Sequence, residues 1–143
     1  MRFLVDTNVI SELRHPQGDL DVKRRFARLA AENVFVSVVV FGELSKGVAL
    51  LTSGHRKREL RVWLSEFEDS FGDRILPLDR ETARIWGTLT ARCINNGHSI
   101  SVADGQIAAT ALHHNLTLIT RNVRNFRGTN LRIWNIWESD SPS

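Results

Sequence analysis

Phe3-Leu4-Val5-Asp6-Thr7-Asn8 decides the architecture. Three apolar, β-prone residues suit a strand buried on both faces, as parallel sheets require, and they stop at an acid from which helical patterning starts. From Thr7 to Arg14, Val9, Ile10 and Leu13 share one side of a short helix, which His15-Pro16-Gln17-Gly18 ends. The same alternation continues along the chain. A helix is expected over about Leu20 to Glu32, a strand at Val34-Phe35-Val36, and then a helix capped by Ser37, with Val40, Leu44, Val48 and Leu51 three and four residues apart. A helix from His55 to Phe71, a strand at Ile75-Leu76-Pro77 and a helix capped by Asp79 and broken at Asn95-Asn96-Gly97 come next. The last helix runs from near Ser101 to about Asn115, with strands at Leu116 to Thr120 and Leu131 to Ile133. Short buried strands alternating with helices imply one α/β domain with a short parallel sheet and right-handed crossovers. It is expected over residues 1–138, with a flexible tail at 139–143.

The chain has 143 residues, about one domain's worth, and 42% of them are hydrophobic, which excludes disorder. A single cysteine, Cys93, forbids an internal disulfide and a cysteine-based zinc site. The run from Val34 to Phe41 falls well short of the ~18 to 20 apolar residues that span a bilayer. Met1-Arg2 leads directly into the first strand, without the apolar stretch of a signal peptide, so a cytoplasmic protein with no membrane partner is expected. Nineteen basic against sixteen acidic residues give a net charge of +3, with basic blocks at Lys23-Arg24-Arg25 and His55-Arg56-Lys57-Arg58. Each block is either a solvated helix face or a contact for a polyanion.

In a parallel sheet, ligands collect beyond the carboxyl ends of the strands. Asp6 stands there, where it can also cap the following helix. Glu43 falls on the helical face of positions 40, 44, 47, 48 and 51, whose other members are Val, Leu or Gly. That placement predicts a carboxylate turned toward the core, where it must pair with an arginine, bind a metal or take up a proton. Asp104 precedes Ile107, Ala108 and Ala111, and Ser101-Val102-Ala103-Asp104 also has capping-box spacing. Three carboxylates gathered on one sheet edge would repel by roughly 4 kcal/mol per pair at about 4 Å and an effective dielectric near 20, so they demand a cation. Hard oxygen donors without cysteine point to Mg²⁺ or Mn²⁺, and such an ion on a basic protein suits hydrolysis of a nucleic-acid phosphodiester. His113 and His114 are adjacent and read as a solvated helix end.

Asp6-Thr7-Asn8 after a strand, Gly42-Glu43-Leu44 with Gly47-Val48, Ala103-Asp104 before Ile107-Ala108-Ala109-Thr110-Ala111, and Thr120-Arg121-Asn122 followed by Phe126 together resemble a PIN-domain ribonuclease. More narrowly, the chain is similar to VapC-type toxins of bacterial toxin-antitoxin pairs, in their FitB-like branch. The resemblance covers about Phe3 to Trp137. It implies a parallel sheet flanked by helices on both faces and Mg²⁺- or Mn²⁺-dependent cleavage of cellular RNA, with tRNA a candidate substrate. It also implies a homodimer, and a cognate antitoxin that fills the active-site groove and builds a larger assembly. Carried over by position, Asp6, Glu43 and Asp104 hold the metal, while Asn8, Thr120 and Asn122 position the ligands. The family's fourth acid falls at Asn122 or near Asn125, both amides here, which leaves one well-held ion as the expectation.

Lys46, Arg121, Arg56, Lys57 and Arg58 are the candidate RNA contacts, each with solvated surface as the alternative. Trp63, Trp86, Trp134 and Trp137 either stack on bases or pack in the core or a dimer contact. The competing functions are a catalytically degenerate domain of the same fold that binds RNA or a partner protein without cutting, a phosphatase with a nucleophilic Asp6, and a phosphorylated receiver domain. The phosphatase wants a second acid where Asn8 stands. The receiver wants adjacent acids after the first strand, which are missing.

Overall fold

The computed structural model of the chain describes residues 1–142. Its five-stranded sheet has the order β3-β2-β1-β4-β5 and every pairing is parallel. β1 (Phe3–Val5) and β4 (Thr117–Ile119) form the centre and are buried at every residue, which explains their unbroken apolar character. Phe3 lies opposite Thr117 and Val5 opposite Ile119. β2 (Val34–Ser37) flanks β1, β3 (Ile75–Leu76) forms one edge, and β5 (Ile133–Trp134) forms the other.

Six α-helices connect the described strands: α1 (Thr7–Arg14), α2 (Leu20–Ala27), α3 (Val38–Ala49), α4 (His55–Phe71), α5 (Arg80–Asn95) and α6 (Val102–His113). Side-chain caps start five of them. Asp6, Asp19, Ser37, Asp79 and Ser101 each accept a backbone N–H from the first turn of the helix that follows. Buried residues of α1, α3 and α6, among them Val9, Val40, Leu44, Ile107 and Ala108, join the strands in one core.

The structure departs from the sequence expectation at several elements. The helix expected to reach Glu32 stops at Ala27, because Arg28 and Leu29 close on the carbonyls of Arg25 and Phe26 in tighter turns. A separate 3-10 turn at Ala31–Asn33 then delivers the chain to β2. The last strand starts two residues later than the expected Leu131 to Ile133 and ends one later, because buried Trp134 pairs with Ile119 and packs its ring 5.6 Å from that of Phe3. His113 and His114 are not a solvated end. His113 Nδ1 lies 2.7 Å from the Thr82 hydroxyl, and half-buried His114 has its imidazole pKa lowered, chiefly by burial. Ser139 and Asp140, in the stretch expected to be a tail, accept hydrogen bonds from Trp134 Nε1 and Arg25 Nε. Ser143 lies outside the described residues.

Candidate active site

The sheet ladder runs one residue past β1: the Asp6 N–H donates to the Ile119 carbonyl at 3.0 Å, and the Thr120 N–H donates to that of Trp134 at 3.2 Å. Two side chains are thereby fixed next to each other at the carboxyl edge of the sheet. The fully buried Thr120 hydroxyl donates to Asp6 Oδ2 at 2.8 Å. Asn8, in the first turn of α1, donates from Nδ2 to Asp6 Oδ2 at 3.2 Å and to Thr120 Oγ1 at 3.1 Å. Its Oδ1 accepts the Arg121 N–H at 3.1 Å, and Asn122 N–H donates to Thr120 Oγ1 at 3.0 Å. Asp6 Oδ1 meanwhile accepts the Thr7 N–H at 2.8 Å, so the acid both caps α1 and belongs to the cluster. Asn122 enters this network through its backbone, and its side chain is exposed.

Glu43 corrects the sequence expectation, because it is exposed and not turned into the core. Val40, Leu44 and Val48 bury a narrow stripe, and Glu43 and Gly47 sit beside it at the rim. Its Oε1 accepts the Thr7 hydroxyl at 2.7 Å. Thr7 therefore joins two acids, donating its N–H to Asp6 and its O–H to Glu43. Sequence reasoning does not single out Thr7 as a site residue, although a hydroxyl directly after the strand-end acid is the available signal. Asp104 is half-buried at the start of α6, where its N–H donates to Ser101 Oγ at 3.1 Å, the serine half of the expected capping box.

The three acids feel one another. The Asp6 carboxyl pKa is raised above the ordinary value by burial first, against the lowering influence of Thr120 and Thr7, with the charges of Asp104 and Glu43 adding to the rise. Asp104 is likewise raised by burial and by Glu43. None of the three takes part in an ion pair among the described residues, so an arginine does not fill the gap. Nor, among those residues, does any group of three His, Cys, Asp or Glu side chains stand closely enough to hold a metal ion by itself. The sequence expectation of three acids closing directly on one ion is thus met only as neighbourhood: the carboxylates share an edge without forming a closed cage.

Of the other expected contacts, Arg56 and Arg121 line separate grooves. Arg56 lines a groove of about 310 Å³ that starts at Thr7 and Glu43 and passes Leu44, Val48 and Trp63. Lys57 donates to the Ala49 carbonyl at the end of α3, whereas Lys46 and Arg58 are exposed. Arg121 lines a larger groove, about 550 Å³, on the β4–β5 side, and its guanidinium lies 5.1 Å from the Trp137 ring centre. Trp134 is core, Trp63 packs on Phe67, and half-buried Trp86 packs on α6 beside Gly105.

A parallel α/β sheet with neighbouring carboxylates at its carboxyl edge defines the class, and the chain belongs to the PIN domain family, whose pattern matches residues 3–130. It is 38% identical over 136 residues to Toxin FitB of Neisseria gonorrhoeae, covering 94% of this chain and 98% of that protein. It is 34% identical over 137 residues to VapC ribonuclease Y4jK of Sinorhizobium fredii, covering 95% and 98%. The crystal structure of FitAcB from Neisseria gonorrhoeae superposes with a TM-score of 0.91 at 38% identity, over 96% of this chain and 99% of that one. No helix among the described residues is long and apolar enough to cross a membrane.

Proposed function

We propose that the protein is a toxin endoribonuclease of a toxin-antitoxin pair, cutting cellular RNA, with tRNA a candidate, in the cytoplasm with the help of Mg²⁺ or Mn²⁺. The observation that carries this reading is the acid cluster without a counter-cation: Asp6 and Asp104 hold raised pKa values that a bound divalent ion would bring down. The donor set fits such an ion. Mg²⁺ keeps several waters and takes one or two carboxylates directly, so Asp6, Glu43 and Asp104 can share it partly through water without forming a closed cage. When bound, the ion supplies charge neutralisation at the phosphate and acidifies water.

The chain's own residues supply the positioning. Thr120 and Asn8 fix the Oδ2 edge of Asp6, and Thr7 fixes Oδ1 and ties Glu43 to the same point. With both amides in place of acids at Asn122 and Asn125, a single ion is the occupancy proposed. The groove from Glu43 toward Trp63, apolar along its floor, is the seat proposed for the antitoxin segment. The relatives named Toxin FitB and VapC ribonuclease support the reading, and a homodimer is proposed with it.

The looseness of the carboxylates favours one rival: a domain of this fold that binds RNA without cutting it. A cleavage assay on labelled RNA with Mn²⁺ or Mg²⁺ separates the two. Asp6→Asn, Glu43→Gln and Asp104→Asn are each expected to lower the rate more than about 100-fold, and EDTA to abolish it. Equal rates in wild type and all three variants remove the nuclease reading.

A further inference from the structure

Arg121, Arg124 and Arg127 follow one another at three-residue intervals through the connection between β4 and β5, and all three line the groove of about 550 Å³. Asn122 and Asn125 alternate with them, Asn135 faces them from beyond β5, and Glu138 is the single carboxylate. None of the three arginines is in an ion pair among the described residues. The wall is nonetheless built, not frayed. Phe126 is buried at its centre, the Thr129 hydroxyl donates to the Phe126 carbonyl at 2.6 Å, and Arg127 N–H closes on Arg124 O. The Arg121 guanidinium lies over the Trp137 ring within cation–π range, while the side chain stays exposed.

The groove starts one hydrogen bond from the acid cluster. The N–H groups of Arg121 and Asn122 are the ones that Asn8 and Thr120 accept, and these two side chains hold Asp6. We propose that this groove binds the single-stranded RNA segment adjoining the phosphate that is cut; the inference rests on the ribonuclease reading for the identity of the polyanion. Planar guanidinium forks suit phosphate oxygens, asparagine amides offer both a donor and an acceptor to base edges, and a guanidinium plane is a platform for an unstacked base. A strand whose phosphate reaches Asp6 must continue on one side or the other. The groove beyond Glu43 sets two arginines, Arg14 and Arg56, among the apolar Leu44, Val48, Leu51, Leu60 and Trp63, whereas the groove at β4–β5 sets three exposed arginines among asparagines, a lining closer to the needs of a polyanion with unpaired bases.

The test is the affinity of the full-length protein for a fluorescein-labelled eight-nucleotide single-stranded RNA, read by anisotropy in EDTA so that nothing is cut. The comparison set is wild type, Arg124→Ala, Arg127→Ala, the double variant, and Arg80→Ala, which matches each single variant's loss of one charge at the start of α5. The double variant is expected to bind at least about tenfold more weakly and to flatten the slope of log affinity against log salt by about 1.4, or ~0.7 for each phosphate no longer neutralised. Arg80→Ala should stay within about twofold. The same double variant should raise KM for cleavage and leave kcat largely in place. Two results overturn the proposal: RNA affinity unchanged in the double variant or absent in wild type; or an equal loss with Arg80→Ala. Failure of the nuclease reading would show separately, as RNA that binds in this groove and survives Mn²⁺.

Discussion

At the scale of single residues, the site is a problem of charge held by hydrogen bonds. Thr120 gives its proton to Asp6 and takes N–H groups from Asn8 and Asn122, at complete burial. Thr120→Val keeps the shape and removes all three bonds, so it should destabilise the fold by about 2 kcal/mol in urea denaturation and lower cleavage roughly 10- to 100-fold. Thr120→Ser should recover most of both. The acids themselves carry the opposite sign. The folded-state pKa values of Asp6 and Asp104 are raised, so the folded protein holds those protons more tightly than the unfolded chain does. Their contribution is favourable below the ordinary carboxylate value of about 4 and is lost as pH rises through the folded values. Asp104→Asn removes the larger part of that penalty for α6, so in metal-free buffer the variant should melt above wild type at pH 7, with the gap closing near pH 4. Mn²⁺ should raise the Tm of wild type at pH 7 and do so less as the pH falls. A gap that widens toward acid, or a variant that melts lower at pH 7, would count against a repulsive cluster. Asp79, Asp140 and His114 titrate in the other direction, which is why the comparison is made between variant and wild type and not along one melting curve.

Helix packing decides whether Asp104 is delivered to the edge at all. α5 and α6 lie against each other with the start of one beside the end of the other, as the Thr82–His113 contact shows. Gly105, directly after Asp104, is the point of close approach: a Cβ there would lie 2.9 Å from Trp86 Nε1 and 3.0 Å from Cδ1. Gly105→Ala should therefore cost up to about 2 kcal/mol in urea denaturation, since overpacking of about 1 to 3 is set against a gain in helix propensity of about 1. Gly87→Ala, in α5 with nothing within 4 Å of the new methyl, should instead stabilise by about 0.5 to 1 kcal/mol. The elements are largely legible in the sequence, because caps and apolar spacing act locally: α1 and α4 fall on their expected residues, and Ser37, Asp79 and Ser101 cap as their side chains suggest. Glu43 misleads because a helical wheel shows a face but not how far the core extends across it. Here the core takes only the stripe Val40, Leu44 and Val48. The end of α2 misleads because Leu29 continues the apolar spacing while serving a turn, which periodicity cannot distinguish from another helical turn.

Over the whole molecule, the sheet edge gathers what the chain scatters. Asp6, Glu43 and Asp104 are legible as a neighbourhood because strand ends and the helix starts beyond them share an edge in a parallel sheet, a rule that needs no side-chain contact. The arginine groove is not legible as a groove. Its residues lie in a connection without period, and only the burial of Phe126 and the return of the chain through β5 make a wall of them. The same return fixes the end of the chain. Arg25, half-buried on α2, donates Nη1 to the carbonyls of Ile136 and Trp137 at 2.9 and 3.1 Å, and Nε to Asp140 at 2.8 Å. The carbonyl bonds are partly buried and the carboxylate is exposed, so the two halves of this contact should weigh differently. Arg25→Ala is expected to destabilise by about 2 kcal/mol and, by loosening Trp137 beneath Arg121, to weaken RNA binding in the groove. Asp140→Ala should leave the urea midpoint and the RNA affinity almost unchanged. If the two variants behave alike, the contact is a screened surface pair, and the segment after β5 does not brace the ring over which Arg121 lies.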